Sequence, residues 1–149
     1  MKKWWLALLI TGLFTTAPYA HDDHAATGIT VEQAWARKTS RTVSAAVYLE
    51  LHNDGHVMDT LTGISSPAAE TVSLHRSYEK DGMMRMDHVD ELPVAPDEVF
   101  TLAPGGYHIM LMNLSHPLEE GSTFPVTLHF KKAGNIEAVV TVTGMGGLE

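Results

Sequence analysis

Two imidazoles and two thioethers at fixed spacing carry the chemistry of this chain: His75, Met86, His108 and Met110. Ten residues separate the first pair and twenty-one the second from the third. One residue, Ile109, separates His108 from Met110. Imidazole suits copper, and thioether sulfur selects the soft monovalent ion over zinc or magnesium. The chain has no cysteine. If the four side chains converge, they form a thiol-free site for Cu(I). A blue-copper electron carrier needs a cysteine thiolate and is excluded. Thiol–disulfide chemistry and zinc ribbons are excluded with it. Methionine has no proton to lose, so it stays a ligand at mildly acidic pH, although oxidation to the sulfoxide would spoil it.

The remaining histidines and methionines have plainer readings. Met58 and Met145 are expected to be core filler. Met83 and Met84 read as packing or exposed hairpin residues, with a weak role as landing ligands for copper as the sharper alternative. His52 and His56 flank Asn53-Asp54-Gly55 and read as solvated turn residues, while His116 and His129 give no pairing signal. His88 and Met112 are further donors whose membership of the copper set the sequence leaves open.

The start of the chain places this chemistry outside the cytosol, where thiols are readily oxidised and a cysteine-free copper site makes sense. Lys2 and Lys3 precede an apolar run from Trp4 to Phe14, and Ala17-Pro18-Tyr19-Ala20 offers a small-residue cleavage site. The run is well short of the roughly 20 residues a spanning helix needs. Residues 1–20 are therefore expected to be a removed signal peptide, 21–28 a flexible leader and 29–149 one domain. Cleavage after Ala20 is favoured although Pro18 fits poorly. With no cysteine to take a lipid, the mature protein is expected in the periplasm without a membrane anchor and as a monomer. Loss of Lys2 and Lys3 takes the formal charge from −8 to −10, which argues against nucleic acid as a partner. In the leader, His21 and His24 could capture Cu(II) as an auxiliary site. A mature N-terminus at His21 would also offer the amine and imidazole of a histidine-brace oxidative enzyme. That alternative is weak, because a polar leader supplies no rigid scaffold.

Positioning the four donors falls to β-strands. Period-two alternation with turn residues between short runs predicts strands at 29–37, 43–52, 58–65, 70–78, 83–89, 98–103, 107–113, 124–131 and 136–143. Val43, Ala45, Val47, Leu49 and Leu51 share one predicted face. No run has a helical period, although 66–69 could form a single turn. These features predict an all-β, antiparallel sandwich of Greek-key type, with an up-and-down barrel as the next choice. Alternation places His108, Met110 and Met112 on one face, with His108 and Met110 about 7 Å apart. The runs around His75 and Met86 read as a hairpin. A two-residue Asp81-Gly82 turn sets His75 opposite His88 and diagonal to Met86. A four-residue loop sets it opposite Met86, and a three-residue loop separates the two.

From about Ser65 to Leu118 the chain resembles the periplasmic copper chaperone family called PCu(A)C. His75, Met86, His108 and Met110 fit that family's metal motif without a gap. Ser65-Ser66-Pro67, Asp81-Gly82-Met83-Met84-Arg85-Met86 and Leu102-Ala103-Pro104-Gly105-Gly106-Tyr107-His108-Ile109-Met110 match its context. Two departures stand out: Arg76 and Ser77, not a methionine, follow the first histidine, and no Met- and His-rich tail follows Met145. The resemblance implies a cupredoxin-like β-sandwich that binds one Cu(I) and is not an enzyme. It implies delivery to a periplasmic copper enzyme, usually the copper A centre of cytochrome c oxidase subunit II. A thiol-containing copper chaperone is a further implied partner. A periplasmic copper buffer that passes metal to nothing is the alternative.

Overall fold

Alternation decides which side of each strand faces inward, and the inward sets are strongly apolar. The structure, a computed structural model, describes residues 28–148. The expected signal peptide, the leader histidines His21 and His24, and Glu149 lie outside that range. Ten strands follow in order: β1 (Ile29–Arg37), β2 (Ser44–Asn53), β3 (Asp59–Ser65), β4 (Ala69–Lys80), β5 (Met83–His88), β6 (Leu92–Val94), β7 (Glu98–Leu102), β8 (Tyr107–Leu114), β9 (Thr123–Phe130) and β10 (Gly134–Thr143). No helix occurs among the described residues.

The strands hydrogen-bond in the order β5-β4-β8-β2-β1-β10-β9-β3-β6, with β7 paired to β2. Ala45, Val47, Leu49 and Leu51 of β2 and Ile109 and Leu111 of β8 are buried from one side. Phe124, Val126, Leu128 and Phe130 of β9 and Ala138, Val140 and Val142 of β10 close on them in a single core cluster. Burying each of the larger side chains among them contributes about 1.5–3 kcal/mol before the entropy cost of ordering it. The result is the expected all-β sandwich, left open at β5 and β6 and so not a closed barrel.

β1 joins the two halves. It runs antiparallel to β2 and parallel to β10, with Trp35 opposite Thr141, so one seam departs from the antiparallel expectation. A bulge between Glu32 and Trp35, with Gln33 at a φ of 49°, bends the strand where the pairing shifts. Two buried polar side chains fasten the connecting loops. Asn53 donates from Nδ2 to the carbonyls of Val57 and Val94 (2.9 and 3.0 Å). Asp59 accepts from the backbone N–H groups of Thr60, Lys132 and Ala133 at 2.7–2.9 Å.

Several sequence expectations need correction. β6 was not anticipated, because three residues around Pro93 carry too little pattern. Residues 66–68 form a turn and Ala69 already belongs to β4, so no helical turn forms; Ser66 Oγ fixes the turn by donating to the Pro125 carbonyl (2.6 Å) and accepting from the Ala68 N–H. Val43 lies just before β2 and is exposed, as are Met58 and Met145, neither of which fills the core. His52 is a half-buried strand residue, not a solvated turn residue.

Candidate metal centre

Two neighbouring strand pairs bring the candidate donors onto one face. The β4–β5 hairpin closes through Lys80 and Met83 over Asp81 and Gly82, with φ values of 54° and 72°. Positive φ at both central residues is the type I′ turn that suits a right-twisted hairpin. Of the registers the sequence allowed, this selects the two-residue turn, with His75 opposite His88 and Ser77 opposite Met86. On its other side β4 pairs with β8, with His75 opposite His108 and Ser73 opposite Met110. Cross-strand partners share a face, so His75, Met86, His108 and Met110 all project the same way, away from the core residues Leu74, Ile109 and Leu111.

The distances are short. His75 Nδ1 lies 3.2 Å from Met86 Sδ, while His75 Nε2 meets Ser73 Oγ at 3.2 Å. The His75 and His108 rings are 6.0 Å apart between centroids. His108 Nδ1 donates to the Gly106 carbonyl (3.1 Å), which leaves Nε2 free. Each of these histidines thus contacts an oxygen two residues earlier in its own chain segment, a pattern that fixes ring orientation at metal sites. Ser73 and Gly106 escaped sequence reasoning; only their i−2 position, on the same face of the strand or its approach, could have flagged them. Met110 sits between Ser73 and Ala46, its small cross-strand neighbours.

The donors differ in how firmly they are rooted. His108 is only 5% exposed, and the fully buried Ile109 separates it from Met110. Met86 is 51% exposed, on an edge strand whose six residues are all exposed. The opposite face of the hairpin holds that strand in place. There the Tyr78 hydroxyl donates to Asp87 (2.9 Å), and Arg76 stacks over both Tyr78 and Tyr107. The bond to Asp87 pushes the Tyr78 hydroxyl pKa up. At His75 partial burial, and then the positive charge that His108 and His88 would carry, lowers the pKa from 6.5. The imidazole is therefore held in its neutral form, the form that ligates metal.

Met84 falls on the donor face of β5, whereas Met83 points to the opposite side. Met112 continues the row on β8 between Thr71 and Ser44. Elsewhere, Glu32, Glu50 and His52 bring donor atoms within 4.8 Å of one another. His52 Nε2 lies 3.2 Å from Glu50 and 3.8 Å from Glu32, the arrangement of an ion pair once His52 is protonated. His129 bridges Ser65 Oγ and Asn135 Oδ1, a purely structural post.

A profile of the LpqE-like family, described as putative lipoproteins, matches residues 29–142. The chain belongs to this PCu(A)C-related family. The LpqE-like domain is 32% identical over 123 residues to "Putative lipoprotein Lxx21020" of Leifsonia xyli subsp. xyli, covering 82% of this chain and 74% of that one. It is 28% identical to the uncharacterized protein RP573 of Rickettsia prowazekii, of which it spans 62% while 74% of this chain is covered. Among solved structures it resembles the copper-bound PCuAC domain from PmoF2, with a TM-score of 0.65, 26% identity, and coverage of 78% of this chain and 92% of that one. The solution structure of Cu(I)-bound DR1885 from Deinococcus radiodurans aligns with a TM-score of 0.66 and 28% identity, over 89% of this chain and 90% of that one. Both neighbours are described with copper bound, the second as Cu(I). Among the described residues no helix is long and apolar enough to cross a membrane.

Proposed function

We propose that this LpqE-like domain is a Cu(I) carrier of the periplasm, holding one ion through His75, Met86, His108 and Met110 and passing it to a copper enzyme. The observation that carries the reading is the 3.2 Å approach of His75 Nδ1 to Met86 Sδ, on the same face as His108 and Met110. Two donors of one ion stand about that far apart when each bond is about 2.0–2.3 Å. Two imidazoles and two thioethers are all neutral, which favours the monovalent ion and holds it less tightly than thiolates would. A recipient that offers cysteines then takes the ion downhill. The copper A centre of an oxidase subunit II is the recipient the family resemblance favours, with a thiol-bearing chaperone as a further partner.

The uneven exposure of the donors supports an order of release. His108 and Met110 are anchored through the core residue between them, and Met86 rides on the exposed edge strand. An incoming ligand displaces Met86 first, and the ion leaves from the β5 side. This is carriage, not catalysis. The copper relatives and the domain's family support the copper part of this reading, and the signal-like N-terminus supports the compartment.

The test is anaerobic transfer. The Cu(I)-loaded domain is mixed with an apo oxidase copper domain, the two are separated, and copper is measured in each. A carrier gives up most of its copper within the experiment. A domain that keeps its copper beside the apo recipient is a buffer, and that result overturns delivery.

A further inference from the structure

On the same face stands a third imidazole that the four-donor set does not use. His88, His75 and His108 form one continuous row across β5, β4 and β8, each directly opposite the next. Ring centroids are 5.5 Å apart for His88 and His75, and 6.0 Å for His75 and His108, both pairs edge to face. Two imidazoles that share one ion at about 2.0 Å per bond hold their centroids roughly 5 Å apart. Each adjacent pair is thus within about an ångström of a chelating spacing, while His88 and His108 flank His75 from β5 and β8, so a shared ion requires the exposed His88 ring to lean inward over His75. We propose that this row is a second ligand set of the centre, specific for Cu(II), in which His88 takes the place that the thioethers hold for Cu(I). The proposal rests on the copper reading above and adds a residue and an oxidation state to it.

Ligand chemistry separates the two sets. Thioether sulfur is a soft donor that favours Cu(I), whereas imidazole serves both oxidation states. For Cu(II) the sulfur atoms of Met86 and Met110 are poor ligands, and His75 and His108 alone leave the ion under-coordinated by protein. His88 supplies the missing nitrogen from the flank. Its Nε2 lies 3.1 Å from Asp90 Oδ1, so a carboxylate orients the ring and leaves Nδ1 available. The same division holds at His108 through the Gly106 carbonyl and at His75 through Ser73 Oγ. All three rings therefore have one nitrogen engaged by oxygen, the arrangement that commonly orients metal-binding histidines. The His88 side chain is 54% exposed on the edge strand, so it can lean toward His75 without disturbing the core.

The experiment compares His88→Ala with wild type in both oxidation states, on a His21→Ala/His24→Ala background that removes the leader's imidazoles. Cu(II) titration is followed by electron paramagnetic resonance, where nitrogen couplings count bound imidazoles. Cu(I) titration is run anaerobically against a chromophoric chelator. The expected result is a Cu(II) spectrum with three nitrogens in the background protein and two in His88→Ala. Cu(II) affinity should fall tenfold or more, with Cu(I) affinity within threefold of the background. Unchanged Cu(II) binding in His88→Ala overturns the proposal. An equal loss in both states also overturns it, because His88 would then be a general ligand. If the background protein takes up neither ion, the carrier reading itself fails, a result distinct from either. His129→Ala, which removes a histidine bonded to Ser65 and Asn135, should match the background throughout.

Discussion

If strand parity is what assembles the centre, moving one sulfur atom by a single residue should destroy it, while moving it to another strand should not. Two exchanges test this. In M86D/D87M the thioether shifts by about 3.3 Å along β5 and onto the opposite face, because successive residues alternate. In S77M/M86S it crosses to the residue directly opposite, about 5 Å away between Cβ atoms and still on the face of His75. The second exchange creates a His-x-Met pair on β4 that copies the spacing of His108 and Met110 on β8. Because β5 is exposed along its whole length, neither exchange should cost more than about 1–2 kcal/mol of stability. The larger cost falls on M86D/D87M, which also loses the Tyr78–Asp87 hydrogen bond, itself worth about 1 kcal/mol. For copper the order is steeper. Anaerobic competition with a Cu(I) chelator should show M86D/D87M weakened on the order of 100-fold, about 2.7 kcal/mol, and S77M/M86S within about tenfold of wild type. Equal affinities in the two variants, or wild-type affinity in M86D/D87M, would refute the argument from register.

Two further outcomes follow from the packing and the electrostatics. In the apo protein, NMR titration should place the His75 pKa below 6.5, and His108→Ala should move it back up in part, since burial is the larger cause and one positive neighbour would be gone. Because its folded pKa is lowered, His75 contributes stability that is present above pH 6.5 and fades as pH falls through the folded value. A His75 titration above 6.5 would contradict this. Asp59→Ala leaves three backbone N–H groups without their acceptor. Chemical denaturation should show a loss of about 2–4 kcal/mol, with Cu(I) affinity unchanged because Asp59 holds only the N–H groups of Thr60, Lys132 and Ala133, segments that carry none of the four donors.

Much of this architecture was legible because the chain alternates cleanly. The core face of β2 from Ala45 to Leu51 could be read directly, since each inward residue is apolar and buried, whereas in β1 the bulge after Glu32 breaks the alternation and only Ile29 and Ala36 are buried. The donor face of β8 was legible for the same reason, with Ile109 and Leu111 marking the inward side. The hairpin register was not, because three loop lengths were compatible with Asp81-Gly82 and only the turn dihedrals choose among them. His52 was misread because Asn53-Asp54-Gly55 suggested a turn around it, whereas the turn begins one residue later and Glu50 holds the imidazole in the strand. Met58 and Met145 misled in another way: composition says that methionine is apolar, but not whether a core position remains for it. The parallel β1–β10 seam is a long-range pairing with no local signature.

The uneven rooting of the donors makes the fold suited to releasing what it holds. A site built wholly on β4 and β8 would have every ligand backed by a buried neighbour, with no ligand free to turn away ahead of the others. A site built wholly on β5 would have no fixed geometry to recognise an ion. Here the buried His108 and its strand neighbour Met110 give a fixed half, and the exposed edge strand gives Met86, a ligand whose side chain can turn away at little cost. The strand itself stays paired, because the type I′ turn closes the hairpin and Arg76, Tyr78 and Asp87 tie it down on its far face. Loosening that clamp, for instance by Tyr78→Phe, should therefore speed the loss of Cu(I) to a competitor more than it lowers equilibrium affinity. Stopped-flow chelator competition reads the two separately, and an unchanged off-rate would mean that the edge strand does not gate release.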